Sequence, residues 1–193
     1  MEDLAALLSS LNAIDVVLLL LFAGAFLLGF FQGVVRQLLG IVAWFFAFAL
    51  AANLRDPLGS WLGQYWTFFP QGYVGMIAFL VLLVTFLVAS NIAIQVAYKR
   101  TPIFARMSFL DEVLGGVLAI GLAVLIISTV YIVLRTYYGG SGGLQGSNDV
   151  PFLTELYLAL DGSAIVGGLR SSLIPGIVSL LGPLLPIDVR EVV

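Results

Sequence analysis

A long apolar stretch with a single charge constrains the fold of this chain most strongly. Between Asp15 and Arg55 the only charged residue is Arg36. One straight helix over this stretch would be about 58 Å long, nearly twice the roughly 30 Å hydrocarbon core of a bilayer. We therefore expect two membrane-spanning helices joined by a tight turn near Arg36, whose long side chain can reach the lipid headgroups.

The composition of the chain is that of an integral membrane protein. Hydrophobic residues make up 61% of the chain and charged residues only 10%, whereas soluble proteins are about half apolar and about a quarter charged. We predict an all-α integral membrane protein with four transmembrane helices in two hairpins, plus short interfacial amphipathic helices. Apolar stretches of about 20 residues place the four spans at about 14–32, 35–53, 73–97 and 113–135.

Amphipathic segments accompany the four-span membrane domain, which we assign to residues 1–138. Apolar and aromatic residues between Leu58 and Trp66 recur on one helical face, which predicts an interfacial helix at about 57–67; a loop with incidental aromatic residues is the alternative. Glycine and serine predict a flexible linker at 139–149. Residues 150–193 form a predicted amphipathic C-terminal tail, whose prolines in IPGIVSLLGPLLP oppose a fifth crossing.

Basic residues in the short loops predict the orientation of the spans, because cytoplasmic loops carry an excess of lysine and arginine. Four basic residues lie on one side of the predicted spans, and two, Arg55 and Arg135, lie near the spans on the other side. The four are Arg36, Lys99, Arg100 and Arg106. We therefore place the turn and the 97–113 loop in the cytoplasm and both termini on the outer side.

Missing residue types exclude several kinds of chemistry. The chain has no histidine and no cysteine, so the usual general base, zinc ligand, thiolate nucleophile and disulfide are all excluded. A net charge of −3 offers no basic patch for nucleic acid. An intramembrane aspartyl protease needs two aspartates that can meet, and Asp15 and Asp111 are predicted at opposite membrane faces. We expect no enzymatic activity, no cofactor and no metal.

Two residues at the start of the first span are candidates for a functional or a structural role. A carboxylate inside the membrane is costly unless it is paired or hydrated. Asp15 is therefore either an ion or proton site, or part of a helix cap together with Asn12 at the membrane interface. We favour the cap, because Asp15 lies at the very end of the span.

Small residues recur at helical spacing in two of the predicted spans. Gly29 and Gly33 form a GxxxG motif, and Gly115 starts a similar series with Ala119 and Ala123. Small side chains let helix backbones approach closely in lipid. We favour packing inside one chain over a seam between identical chains.

Asp111 precedes the fourth span, and two structural roles suit it. It can cap that helix, with Glu112 in the first turn. It can also form a salt bridge with Arg36, because both are predicted on the cytoplasmic side. We favour a salt bridge that joins the two hairpins over a catalytic role.

Several short motifs together resemble one family. They are Asn12-x-x-Asp15, Gly29-Phe30-x-x-Gly33-x-x-Arg36, Trp44, Leu110-Asp111-x-x-Leu114-Gly115 and Ser172-Leu173-Ile174-Pro175. In this order and spacing they resemble the colicin V production protein family of bacterial inner-membrane proteins. The resemblance implies a four-span protein of the cytoplasmic membrane, linked to toxin production, secretion or envelope physiology. It also makes Ser172 and Pro175 candidate residues. Asp111-Glu112 stands where members often have Asp-Arg.

These observations favour a non-enzymatic bacterial inner-membrane protein that supports toxin production and secretion or envelope homeostasis. Its expected partners are membrane lipids and a protein of secretion or envelope assembly, which the tail around Ser172 and Pro175 would engage. The alternative is a small homo-oligomeric channel or transporter. Polar residues in the spans are few and cluster near the span ends, which speaks against a wide aqueous path.

Overall fold

The computed structural model describes residues 12–66, 71–97, 108–139, 151–173, 175–176 and 179. These residues form six helices and no strand. The helices are α1 (Ala13–Gln32), α2 (Val34–Tyr65), α3 (Gln71–Ala97), α4 (Ser108–Tyr138), α5 (Pro151–Asp161) and α6 (Ala164–Ser172). The first four are long and apolar enough to cross a membrane. The prediction of an all-α protein with four membrane spans is confirmed.

A single residue separates the first two spans. Gly33 has a φ of 78°, in the region that glycine adopts without steric cost. Its N–H donates to the carbonyl of Gly29 at 2.9 Å and so closes α1. Because α2 begins at the next residue, Arg36 lies in the first turn of α2 rather than in the connection itself.

The second helix is longer than expected. We predicted a span at 35–53 and a separate interfacial helix at 57–67, but α2 continues through Pro57 to Tyr65. Proline removes one backbone hydrogen-bond donor and clashes with the preceding turn, yet the helix continues past Pro57. Its 32 residues extend over about 48 Å, more than the hydrocarbon core. The predicted interfacial face is thus the C-terminal part of a long helix.

The four long helices pack in an order that differs from their order in the chain. α2 packs along α3 and α1 packs along α4, while α2 also touches α4. Contacts between α1 and α2 and between α3 and α4 are few. The two predicted hairpins, α1–α2 and α3–α4, thus have few internal contacts, and each long helix packs mainly against a helix of the other hairpin.

Aromatic and small side chains from α2 and α4 form the centre of the core. Trp44 is 1% exposed and stacks on Phe48, with ring centroids 5.4 Å apart. Ala47 and Ala51, on the same helix, and Tyr131 on α4 are also buried. Close packing rather than transfer from water holds such helices together inside a membrane.

The C-terminal tail folds back onto the bundle. α5 and α6 meet at an angle of 71° and contact α4, and α6 also contacts α1. Leu160 and Val166 are buried in the main core cluster. Residues 1–11, most of the predicted linker at 139–149 and most of the tail beyond Leu173 lie outside the described residues.

We expect Trp44→Ala to destabilise the bundle by about 3 kcal/mol, because large-to-small core substitutions leave a cavity. Trp61→Ala is the matched control, since Trp61 is 56% exposed on the same helix. Thermal unfolding of both purified variants in one detergent measures the effect. Equal melting temperatures for the two variants would contradict the assigned core.

Candidate functional site

The carboxylate of Asp15 is the centre of the polar structure at one end of the bundle. Asp15 is 0% exposed and occupies the third position of α1, whose N-cap is Asn12. The Asn12 backbone N–H donates to Asp15 Oδ2 at 2.8 Å. The Asn12 side chain in turn accepts a backbone hydrogen bond from the first turn, which completes a capping box. The two residues therefore cap the first helix together.

The same carboxylate also caps a second helix, far away in the chain. Ser163, the N-cap of α6, donates its hydroxyl proton to Asp15 Oδ1. The backbone N–H of Ile165 donates to Oδ1 at 3.1 Å and that of Ala164 to Oδ2 at 3.3 Å. The Ser163 Oγ accepts from the Val166 N–H at 3.1 Å. The Asp15 carboxylate and the Ser163 hydroxyl together thus satisfy the free N–H groups at the start of α6.

This arrangement explains how a charge is tolerated inside an apolar bundle. An isolated carboxylate in a low-dielectric interior is very costly, but hydrogen bonds to the charged form and the positive ends of two helices offset that cost. Within the described residues, no cluster of acidic side chains could hold a metal ion.

A second polar contact ties the tail to α4. The hydroxyl of Tyr131, which is buried in the core, donates to Asp161 Oδ1 at 2.7 Å, and Arg170 approaches the same oxygen at 3.4 Å. The Tyr157 ring stacks near Tyr131 and Tyr138, with centroid distances of 6.4 and 6.3 Å. Asp15 and Asp161 therefore fix the hairpin of α5 and α6 from two sides.

Sequence reasoning missed Ser163 as a partner of Asp15. The available signal was local: a serine directly before an apolar helical stripe is a typical N-cap. That signal predicts the start of α6. It does not indicate which acidic residue the helix start would meet.

At the other end of the bundle, small residues allow α1 and α4 to touch. A Cβ atom on Gly115 would lie 2.6 Å from the carbonyl oxygen of Gly29 and 2.8 Å from the carbonyl carbon of Gly33. A Cβ atom on Gly29 would overlap the side chain of Ala119. Both small-residue motifs therefore serve packing inside the chain, at backbone contact.

The expected salt bridge between Arg36 and Asp111 is wrong. Asp111 is 5% exposed, and its Oδ2 lies 2.5 Å from where a Cβ of Gly33 would stand. Its Oδ1 has no hydrogen-bond partner in the described part of the chain. Because Gly33 has no side chain, the Asp111 carboxylate can pack directly against the turn. Arg36 lies almost one helical turn further along α2. Nor does Asp111 cap α4, because that helix already begins at Ser108.

The two candidates in the tail lie apart from these contacts. α6 ends at Ser172, and Ser172 and Pro175 are both exposed. Their surroundings at this end of the tail are exposed as well, including Leu173. Ser172, Leu173 and Pro175 are thus open to the outside of the folded hairpin.

Comparison with known proteins gives one match. A family model described as "Colicin V production protein" matches residues 14–157, a range that includes Asp15, Gly29, Gly33, Asp111 and Gly115. It ends before Ser163 and before the motif at 172–175. No curated protein and no solved structure matches the chain.

We expect Asp15→Asn to loosen the start of α6. An amide oxygen accepts weaker hydrogen bonds than a carboxylate, and losing about 1.4 kcal/mol corresponds to a tenfold change in local opening. Hydrogen–deuterium exchange at the Ala164 and Ile165 amides should then be about tenfold faster. Asp56→Asn, at an exposed ion pair, is the control. Unchanged exchange in Asp15→Asn would contradict the shared cap.

We expect Gly115→Val to separate α1 from α4, because the added atoms would overlap the backbone of Gly29 and Gly33. Gly121→Val, on the same helix, is the matched control, since nothing lies within 4 Å of its Cβ position. A cysteine pair across α1 and α4 reports their distance by disulfide formation in membranes. Equal crosslinking in both variants would show that this contact is not tight.

Proposed function

The chain belongs to the colicin V production protein family, and from this premise we propose that it is a non-enzymatic scaffold of the bacterial cytoplasmic membrane. In this role it supports toxin production and secretion or envelope homeostasis by presenting its folded C-terminal hairpin to a protein partner. The turn at Gly33 and the start of α4 face the cytoplasm, and the hairpin lies on the outer side. The excess of basic residues at 36 and 99–106 supports this orientation.

The observation that carries the proposal is the use of Asp15. The most deeply buried charge of the described chain accepts hydrogen bonds from Asn12, Ser163, Ala164 and Ile165. A carboxylate that accepts hydrogen bonds from the starts of two helices has a structural role in holding those helices together. Transport of an ion would require these hydrogen bonds to open.

The polar side chains of the spans also favour a scaffold over the channel alternative. The hydroxyls of Thr85, Thr129 and Thr136 donate to carbonyls one turn earlier in their own helices. Asn91 and Gln95 bond to each other at 2.8 Å on the exposed side of α3. These groups satisfy one another locally, whereas an aqueous path needs polar groups that line a common pore.

The surface offered to a partner is the outside of the hairpin. Phe152, Leu158 and Leu173 are exposed apolar residues of the hairpin, and Leu173 directly follows Ser172. Apolar side chains around a few polar groups are typical of protein contact sites. The anchoring of α6 by Asp15 gives this surface a defined position on the bundle.

Site-specific photocrosslinking tests the proposal. A photoreactive residue at position 172 in native membranes should capture one reproducible second protein, identified by mass spectrometry. A probe at Leu110, exposed at the other end of the bundle, should not capture it. Asp15→Asn should weaken capture at 172, because the hairpin is then no longer held in place.

Two results would contradict the scaffold. Crosslinks from position 172 only to the same chain would favour a homo-oligomer. Ion flux in proteoliposomes that Asp15→Asn abolishes would favour the channel.

A further inference from the structure

The C-terminal half of α3 carries no buried residue. All six buried residues of α3 lie between Tyr73 and Leu83. From Val84 to the end of the helix at Ala97, every residue is exposed or half-buried. α3 packs mainly along α2 and barely touches α4. The bundle therefore leaves one side of this half of α3 open.

The open side of α3 has a regular sequence pattern. A β-branched residue is followed by a small residue four times, at intervals of four residues. We call these eight residues, all of them exposed, the open face of α3. Positions four apart lie along the same side of a helix, so the branched side chains form a ridge and the small ones form a groove beside it. The four pairs are Val84-Thr85, Val88-Ala89, Ile92-Ala93 and Val96-Ala97.

The shape of the open face fits a second copy of itself. Small residues in membrane helices let another backbone approach closely. The ridge and the groove have the same period, so the ridge of one copy can enter the groove of another and the reverse. Identical chains insert in the same direction, which makes the α3 helices of two copies parallel. A two-fold axis between them then brings the same face of both copies together.

Two carboxamides at the edge of the open face have hydrogen-bonding groups left over. Asn91 and Gln95 are exposed, and Gln95 Nε2 donates to Asn91 Oδ1 at 2.8 Å. Within the part of the chain that the structure describes, this bond leaves the Asn91 Nδ2 donors and the Gln95 Oε1 acceptor unused. Asn91 lies about 9 Å past the middle of the span Tyr73–Ala97, inside the roughly 15 Å half-thickness of the hydrocarbon core. Lipid tails cannot satisfy these groups.

We propose that the open face of α3 is the interface of a homodimer, in which Asn91 of each copy donates to Gln95 of the other. The unused donor and the unused acceptor lie one helical turn apart on the same helix. Two-fold symmetry makes the contact reciprocal, so a second copy satisfies both groups at once. An unrelated apolar helix would have to supply an acceptor and a donor at the matching spacing.

The dimer does not rest on the proposed scaffold function. The C-terminal hairpin packs on α1 and α4, whereas this interface lies on α3. Position 172 and the open face of α3 can therefore be tested separately in the same full-length chain.

Disulfide crosslinking in native membranes maps the interface. The chain has no cysteine, so one introduced cysteine can pair only with another molecule. Ala93→Cys should give a disulfide-linked homodimer after addition of an oxidant. Val117→Cys, at an exposed position of α4, is the matched control and should remain monomeric. Single cysteines in place of Leu87 or Ile94, which lie on the opposite side of α3, should not crosslink either.

Energy transfer between donor-labelled and acceptor-labelled chains in lipid vesicles measures the strength of the dimer. Asn91→Ala and Gln95→Ala should each raise its dissociation constant about tenfold, the size expected for hydrogen bonds between helices in lipid. Because the two residues act as one pair, the double variant should be about as weak as either single variant. Ala93→Leu should also weaken the dimer by filling the groove, whereas Ala23→Leu, exposed on α1, should not. Unchanged melting temperatures show that the variants are folded.

Three results would overturn the homodimer. Ala93→Cys would crosslink no more than Val117→Cys if the open face contacts only lipid. Capture of a different protein at position 93, without a homodimer, would assign the face to that protein. Equal energy transfer in Asn91→Ala and the unmodified chain would show that the carboxamides do not bridge two copies. None of these results depends on whether a probe at position 172 captures a protein.

Discussion

The buried carboxylate of Asp15 is the interaction on which the arrangement of the tail depends. A charge in an apolar bundle must receive several hydrogen bonds, and the starts of α1 and α6 supply them. Neither helix start has to be satisfied by water as a result. The capping box of α1 and the serine N-cap of α6 are each local features. The hydrogen bond between Asp15 and Ser163 joins them into one tertiary contact. The aromatic contacts of Tyr157 and the hydrogen bond from Tyr131 to Asp161 then hold α5 on α4.

The opposite end of the bundle obeys a different constraint, close backbone approach. Gly29, Gly33 and Gly115 allow α1 to lie directly against α4, and this contact replaces the side-by-side packing that a simple hairpin of α1 and α2 would have. As a consequence, α1 and α2 have few contacts with each other and a cleft lies between them. The same turn brings Asp111 under Gly33 and leaves Arg36 without an ion-pair partner in the described residues, so polar groups collect at the end of an apolar cleft.

The two ends of the bundle differ in how their polar groups are hydrogen-bonded. At the end that holds Asp15, the carboxylate oxygens accept hydrogen bonds from the chain. This contact positions a hairpin with exposed apolar residues, a surface that suits contact with a protein. At the end where α1 and α4 are in backbone contact, Asp111 keeps a buried carboxylate oxygen without a hydrogen-bond partner in the described residues. The absence of histidine and cysteine from the sequence leaves few groups for chemistry, and membership of the colicin V production family agrees with a role in the membrane.

The sequence by itself determined the number of spans, the position of the first break and the small-residue faces. Each of these depends on neighbouring residues: apolar runs of sufficient length, a glycine that permits positive φ, and helical spacing. Only the tertiary structure decided that Asp15 meets Ser163, 148 positions away, that α2 continues through Pro57, and that Asp111 lies against Gly33 instead of Arg36. Contacts of this kind depend on which helix faces pack together. A local pattern of small residues marks a face that can be approached closely, but it does not indicate which helix will approach it.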